Sequence, residues 1–527
     1  STNTLTYQRR FAERHSINLT GVFEAQAYER NSFSIVNRGF PSDALGADAI
    51  ASGQQEGGPN IGNGRFRWQL ASWVGRAFYS FDDKYLITVT GRYDGSSRFG
   101  ANNRWGFFPS AALGWRISEE PFMENFTAVD ELKLRGSYGV TGNQEIGILQ
   151  TAERLNPTGG AVFGGIIVPT VRVQSFANED LKWEETNQFN VGITSSFLNS
   201  RITFSADYYV KNTIDLLLNV NLPISAGFSS RPAYNLGELK NQGVEIALGV
   251  QPIASNDLTW NLDFNFTRNR NEVISIFSDR IFGPQISAGR KTPGNLVEEG
   301  RPAGVFYGYQ TAGVYADQQE VDSDIPNDIY LQEPGEYKYV DVNNDGVIDI
   351  DDRTQIGDPN PDFIYGMNSS LSFKNFTLDL TFQGSQGNDI FWYESLALSQ
   401  DEGTNNSLLE IFQNRWTPEN TNAEYPKYNN NATGLNSFYD SRMIHDGSFF
   451  RLRNIVLSYN LPVDDLNLNA ISNLRIYGSV ANAFTITNYP GYNPDVNSFG
   501  QNPINQGIDL GGYPLPRTYT LGVNLTF

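Results

Sequence analysis

RTYTLGVNLTF, residues 517–527, alternates without a break. Tyr519, Leu521, Val523, Leu525 and Phe527 are apolar, and Thr518, Thr520, Gly522, Asn524 and Thr526 between them are polar or small. A period of two puts one set on each face of a β-strand. About 9–11 residues is also the length at which a tilted strand crosses a bilayer. A single strand of this kind suits a half-buried soluble sheet equally well, so the decision rests on how the pattern recurs.

It recurs along the whole chain. Residues 201–209 set Ile202, Phe204, Ala206 and Tyr208 against Thr203, Ser205 and Asp207. Residues 258–266 oppose Leu258, Trp260, Leu262, Phe264 and Phe266 to Thr259, Asn261, Asp263 and Asn265, and residues 85–93 and 376–382 repeat the arrangement. Aromatics gather near the strand ends, where an interfacial girdle places them. No convincing long amphipathic helix interrupts the series.

The connections carry more information than the strands. Short ones at 12–14, 81–83, 199–200, 251–257 and 372–375 alternate with long ones at 31–64, 142–185, 214–237, 271–362, 384–446 and 488–516. Short turns on one rim and long loops on the other describe an outer-membrane barrel. A sandwich or propeller spaces its strands more evenly. Two connections depart from the alternation, since 98–103 is short where a long one is expected and 118–131 the reverse. The expected fold is all-β, a transmembrane antiparallel barrel with about fifteen strands in this chain. An odd count does not close an ordinary bacterial barrel, so residues 1–527 are expected to be the C-terminal part of a larger one.

Composition narrows the function classes. Lys and Arg number 38 against 58 Asp and Glu, a net charge of −20, which repels nucleic acid instead of neutralising its phosphates. Cysteine is absent, which suits passage through an oxidising periplasm. No stretch approaches the roughly 18 apolar residues of a membrane helix, and no signal-peptide pattern opens at Ser1.

Several stretches carry a family resemblance. GRYDGSSRFG (91–100), RWGFFPSAALGWRISEEPFM (104–123), LKLRGSYGVTGNQ (132–144), LKWEETNQFNVG (181–192) and DYYVKNTIDLLL (207–218) follow one another, and NLGELKNQGVEI (235–246), NRWTPEN (414–420), FFRLRNIVLSYNLP (449–462) and YPGYNPDV (489–496) continue the series. Together they resemble the SusC-like family of TonB-dependent outer-membrane transporters of the Bacteroidetes, in the family's order. The apolar face of residues 519–527, ending on Phe527, likewise resembles the C-terminal assembly signal of outer-membrane barrels. The resemblance implies a barrel of about 22 strands with an N-terminal plug, of which this chain supplies the last fifteen strands and neither the plug nor the TonB-contacting segment. It also implies import of a glycan or peptide nutrient with a SusD-like surface lipoprotein, and contact with the TonB complex through the N-terminal region. The chain is then not an enzyme. A calcium-stabilised structural or adhesive barrel is the alternative, and a soluble glycan-binding β-protein is a third reading.

One local motif points to a metal. In DVNNDGVIDIDD (341–352) the oxygen ligands Asp341, Asn343, Asp345, Asp349 and Asp352 fall at positions 1, 3, 5, 9 and 12. Val347 offers a backbone carbonyl at position 7, and Gly346 sits where a calcium loop turns. The flanks are not helical patterns, so this is a calcium-type loop without an EF-hand. Position 12 is Asp instead of Glu, which shortens its reach and leaves Asp351 or Asp352 as the closing ligand. It falls inside the long region 271–362, expected to be extracellular like 384–446, and a similar loop belongs to the family. The plain alternative is a solvated acidic turn.

Other constellations point nowhere sharper. His15 and His445 are the only histidines, far apart and with no cysteine, which excludes a thiolate site and leaves each as a rim or loop residue. Glu184 and Glu185 are adjacent carboxylates without a distinguishing context, and Gly57–Gly64 lacks the Lys-Ser/Thr of a phosphate loop. Phe391, Trp392, Tyr393, Phe438, Tyr439, Tyr489 and Tyr492 lie in the long segments, where most are expected to pack loops together, so the substrate-binding residues are not assigned.

Overall fold

The computed structural model describes residues 1–55, 58–156, 160–175, 177–219, 233–278, 280–283, 294–329, 332–393, 406–428, 439–463, 471–500, 502 and 504–527. Fifteen strands form one sheet in strict sequence order. They are β1 (Thr2–Phe11), β2 (His15–Val36), β3 (Asn60–Phe81), β4 (Tyr85–Ser96), β5 (Trp105–Arg116), β6 (Val129–Asn143), β7 (Glu184–Phe197), β8 (Ile202–Ile214), β9 (Glu238–Ala254), β10 (Leu258–Ser275), β11 (Phe363–Phe373), β12 (Phe376–Gln386), β13 (Phe449–Leu461), β14 (Asn473–Thr487) and β15 (Thr518–Thr526). The expected count of fifteen is the count observed.

Register fixes the faces. In the final hairpin Leu474 lies opposite Leu525, Ile476 opposite Val523 and Val480 opposite Tyr519, while Ser479 meets Thr520 and Arg475 meets Asn524. Tyr519 and Leu521 are 71% and 82% exposed. The same apolar face continues through Leu457 and Phe376. An apolar surface of this extent requires a non-aqueous neighbour.

On one rim the connections are tight. Ala12, Glu13, Asp82, Asp83, Leu198, Asn199, Ser200 and Lys374 there adopt φ between 48° and 59°, the left-handed geometry whose twist matches that of a hairpin. On the other rim the segments build small sheets. Arg280–Phe282, Asn295–Glu298, Val305–Gly308 and Thr354–Gly357 form one, and Asp389–Trp392 pairs with Ile444–Asp446 and Ile508–Asp509 to form another. Thr311–Val314 pairs with Tyr337–Tyr339.

The segment 31–64 departs from its expected loop. β2 and β3 stay paired from His15–Phe81 to Val36–Asn60, 22 residues each, which leaves a connection of 37–59. A strand that long, about 70 Å at 3.3 Å per residue, outreaches any bilayer. The irregular connections have local causes as well. Residues 117–119 and 121–123 are single 3-10 turns that lengthen the link after β5. The link after β4 is tightened where Ser96 Oγ accepts from the Arg98 amide at 3.1 Å.

Contacts divide the chain into two compact units, residues 1–115, 135–189 and 212–238 in the first and 116–134, 190–211 and 239–527 in the second. The first has a small core of Phe99, Phe108, Leu181 and Trp183. The second has a loop core of Phe306, Phe391, Tyr439, Met443 and Ile508.

Candidate functional site

The 341–352 loop is held by its own acidic side chains. Asp341 accepts from the amides of Asn344 at 2.7 Å and Gly346 at 3.0 Å. Asn343 Oδ1 accepts from the Asp345 amide at 2.9 Å, and Asp345 Oδ1 from Val347 at 3.0 Å. Asp349 caps a 3-10 turn through the Asp351 amide at 2.8 Å. Asp352, fully buried, closes the loop by accepting from Val342 and Asp349, both at 2.8 Å. Gly346 has φ +88°, a conformation that side chains resist. Ile348 is 1% exposed against Tyr309 and Tyr339, which fastens the loop to its surroundings.

The chemistry of this donor set is that of a hard cation, since every side-chain group is an oxygen acceptor. A carboxylate has about four acceptor sites, so the amide bonds leave oxygen lone pairs unused. Among the described residues no three His, Cys, Asp or Glu side chains are gathered as a metal cluster. The six residues share one loop, and the side chains of Asp341, Asn343, Asp345, Asp349 and Asp352 are turned toward its amides.

The aromatic residues separate by burial. Phe391, Tyr439 and Tyr489 are buried. Phe391 lies 5.9 Å from Phe306 and edge-on to Tyr439 at 5.2 Å, and the Tyr489 hydroxyl donates to Asp509 at 2.7 Å. Trp392 packs edge-on to His445 and Tyr489. Tyr393 is half-buried beside the loop core. Tyr492 is exposed, and Phe438 lies outside the described residues. Glu184 is a structural acceptor for the Asn143 side chain and the Leu217 amide, each at 3.0 Å. Gly62 and Gly64, read as loop, lie in β3, where a Cβ would meet the Ser34 and Ser32 hydroxyls at 2.6 and 2.9 Å.

His15 stacks on Phe11 at the tight-turn rim and shares a 2.7 Å hydrogen bond with the Tyr79 hydroxyl. His445 lies in the loop core, where burial pushes its pKa down, and its Nε2 has no hydrogen-bond partner among the described residues. The unfolded chain takes up a proton near pH 6.5 and the folded imidazole resists it, so stability is full above that pH and falls as pH drops below it. Proteolysis of the segments around His445 is expected to accelerate between about pH 7 and 5, and His445→Gln to flatten that dependence. An unchanged pH profile in the variant would remove the role given to His445.

The sequence reading missed a phase change in β13. Asn454 pairs with Thr381, but the next pair is Leu452 with Phe382, which leaves Arg453 as an extra residue. Below this bulge the even-numbered Asn454 and Ser458 share the polar face; above it the odd-numbered Arg451 does. The signal is visible in FFRLRNIVLSYNLP, where the apolar positions move from Phe450 and Leu452 to Ile455, Leu457 and Tyr459.

Residues 1–323 match the family described as TonB dependent receptor-like, beta-barrel. The chain belongs to the TonB-dependent receptor β-barrel family. It is 35% identical over 537 residues to TonB-dependent receptor P3 of Formosa agariphila, covering 100% of this chain and 52% of that protein. It is also 35% identical over 473 residues to TonB-dependent receptor SusC of Bacteroides thetaiotaomicron, covering 87% of this chain and 44% of SusC. The solved RagAB peptide transporter superposes with a TM-score of 0.84 and 26% identity over 100% of this chain and 55% of that one. The chain thus spans about half the length of the curated relatives it matches. These relatives place it among the SusC-like receptors of the outer membrane. The apolar face of its sheet is the lipid face and the polar face lines the lumen. The family is one of receptors and transporters, not of enzymes.

Proposed function

We propose that the full-length protein imports an oligomeric nutrient, a peptide or a glycan, across the outer membrane together with a SusD-like surface lipoprotein, driven through TonB. The observation that carries this reading is kinship over the whole chain to SusC and to the RagAB peptide transporter. The rim of long segments, 271–362 and 384–446 among them, is then the extracellular one. Peptide mass mapping of the detergent-solubilised complex from its native membrane tests the proposal. Upstream peptides with a plug and a co-purifying lipoprotein are expected, and a receptor with neither would end the import reading. The relatives' names lend nothing to a structural or adhesive role.

Two site assignments join this reading. Tyr519, Leu521, Val523, Leu525 and Phe527 serve as the barrel-assembly signal, and Leu521→Arg is expected to reduce the heat-modifiable receptor recovered from the outer membrane. Normal recovery would remove that role. Ca2+ binds Asp341, Asn343, Asp345, the Val347 carbonyl, Asp349 and Asp352 and stiffens the loop. This is supported by the all-oxygen donor set and by Gly346 at φ +88°. Chelation with EGTA is expected to speed proteolysis within 341–352, and Asp345→Ala to give the same speed with or without calcium. Identical cleavage of the native receptor in calcium and in EGTA would leave an acidic turn without a metal.

A further inference from the structure

The bulge in β13 brings Arg453 to the lumen side beside Gln383, whose Oε1 accepts from Arg453 Nη1 at 2.9 Å. Both line a cavity of about 460 Å³ that also takes in Asn265, Asn388, Asp495 and Gln506. Asn265 sits on the lumen face of β10, its carboxamide lying over Gly366 of β11, where a Cβ would meet it at 2.9 Å. Pro361, Val496 and Gly507 contribute the walls from the long-loop rim.

The two neighbouring arginines are in different situations. Arg451 is 3% exposed, and Thr485, Asn493 and Asp495 accept from its guanidinium at 2.9, 2.8 and 3.5 Å. It supports the β13–β14 wall, and it engages the carboxylate of Asp495. Arg453 is exposed and forms no ion pair among the described residues. Apart from the bond to Gln383, its donors have no partner among those residues. A planar guanidinium with open N–H groups matches a carboxylate in a two-pronged pair. Side-chain amides such as those of Asn265, Gln383 and Gln506 offer both a donor and an acceptor, as does a peptide backbone.

We propose that Arg453 receives the C-terminal carboxylate of a peptide cargo, with the amides of Asn265, Gln383 and Gln506 against the last peptide units. This rests on the import reading and commits it to a peptide. Bulges are frequent beside functional sites because they re-aim a side chain, and here the bulge gives the strand its exposed lumenal cation.

The test uses the full-length receptor with its co-purified lipoprotein and N-acetylated tetra-alanine, supplied as the free acid and as the C-terminal amide. The free acid is expected to bind about 10- to 100-fold more tightly, the range of a charge-assisted hydrogen-bonded pair. Arg453→Gln is expected to bind acid and amide alike, and Arg453→Lys to retain part of the preference. Heat-modifiability confirms that each variant is folded, as expected for a side chain whose one hydrogen bond among the described residues is to Gln383. Equal binding of acid and amide by the native receptor, or a full preference surviving in Arg453→Gln, overturns the assignment while leaving peptide import standing. Failure of both peptides to bind overturns the peptide commitment itself.

Discussion

Leu262→Arg is expected to lose most of its folded receptor from the outer membrane, whereas Asp263→Arg, one residue away, assembles normally. Leu262 lies opposite Ser369 on the lipid face, and Asp263 opposite Asn368 on the lumen face. Leu262 is also the midpoint of the alternating run from Leu258 to Phe266. That run covers about 27 Å of strand, or roughly 20 Å of membrane depth at the usual tilt. A cation at mid-depth on the lipid face costs about 2–4 kcal/mol, and a cation in the lumen is hydrated. Receptor stability is only a few times that cost, so the difference is readable as the fraction that stays compact in unheated gel samples. Equal recovery of the two variants would contradict the assignment of faces.

The features that such a pair of variants tests are those the sequence displays most openly. A strand with lipid on one side and water on the other must alternate, so 258–266 and 517–527 could be read residue by residue. The β2–β3 hairpin hid its outer half for the opposite reason. Beyond the bilayer no lipid faces it, so nothing requires alternation, and Asn31, Ser32, Ser34, Gly62 and Gly64 read as loop chemistry although they are paired in register. The loop core was hidden in another way. Phe306, Phe391, Tyr439 and Ile508 come from four distant stretches, and local pattern carries no record of contacts made across 200 residues. The 341–352 loop was legible because its polar side chains cap amides of the same loop. Arg453 falls between these cases: the phase shift that exposes it is in the sequence, but the cavity beside it is built by Asn265, Gln383 and Gln506 from three other elements.

Arg442→Ala is expected to open the loop core while leaving the barrel folded. Asp440 is fully buried and accepts from Arg442 Nε at 2.7 Å, from Arg442 Nη2 and from the Tyr339 hydroxyl at 3.2 Å. The Arg442 guanidinium lies 3.5 Å above the Tyr337 ring. Around this pair the backbone is fastened twice, Tyr309 N donating to Tyr439 O at 2.9 Å and Ser441 N to Tyr309 O at 3.0 Å. The same burial holds the Tyr309 hydroxyl neutral, its pKa pushed up to about 12. Removing the guanidinium strands a fully buried carboxylate without its counter-charge, a loss of about 3–5 kcal/mol. Removing both charges with Asp440→Leu and Arg442→Leu together is expected to cost much less, because an apolar pair of similar volume carries no desolvation penalty. Hydrogen exchange of the Tyr309, Tyr339 and Ser441 amides reads the opening directly, since their protection reports the local unfolding free energy. In Arg442→Ala those amides should exchange at least 100-fold faster, a factor that about 3 kcal/mol supplies, while amides of β10–β12 keep their protection. If protection at Ser441 survives in Arg442→Ala, the buried pair does not hold these loop segments together, and the apolar contacts of Phe306, Phe391 and Met443 suffice without it.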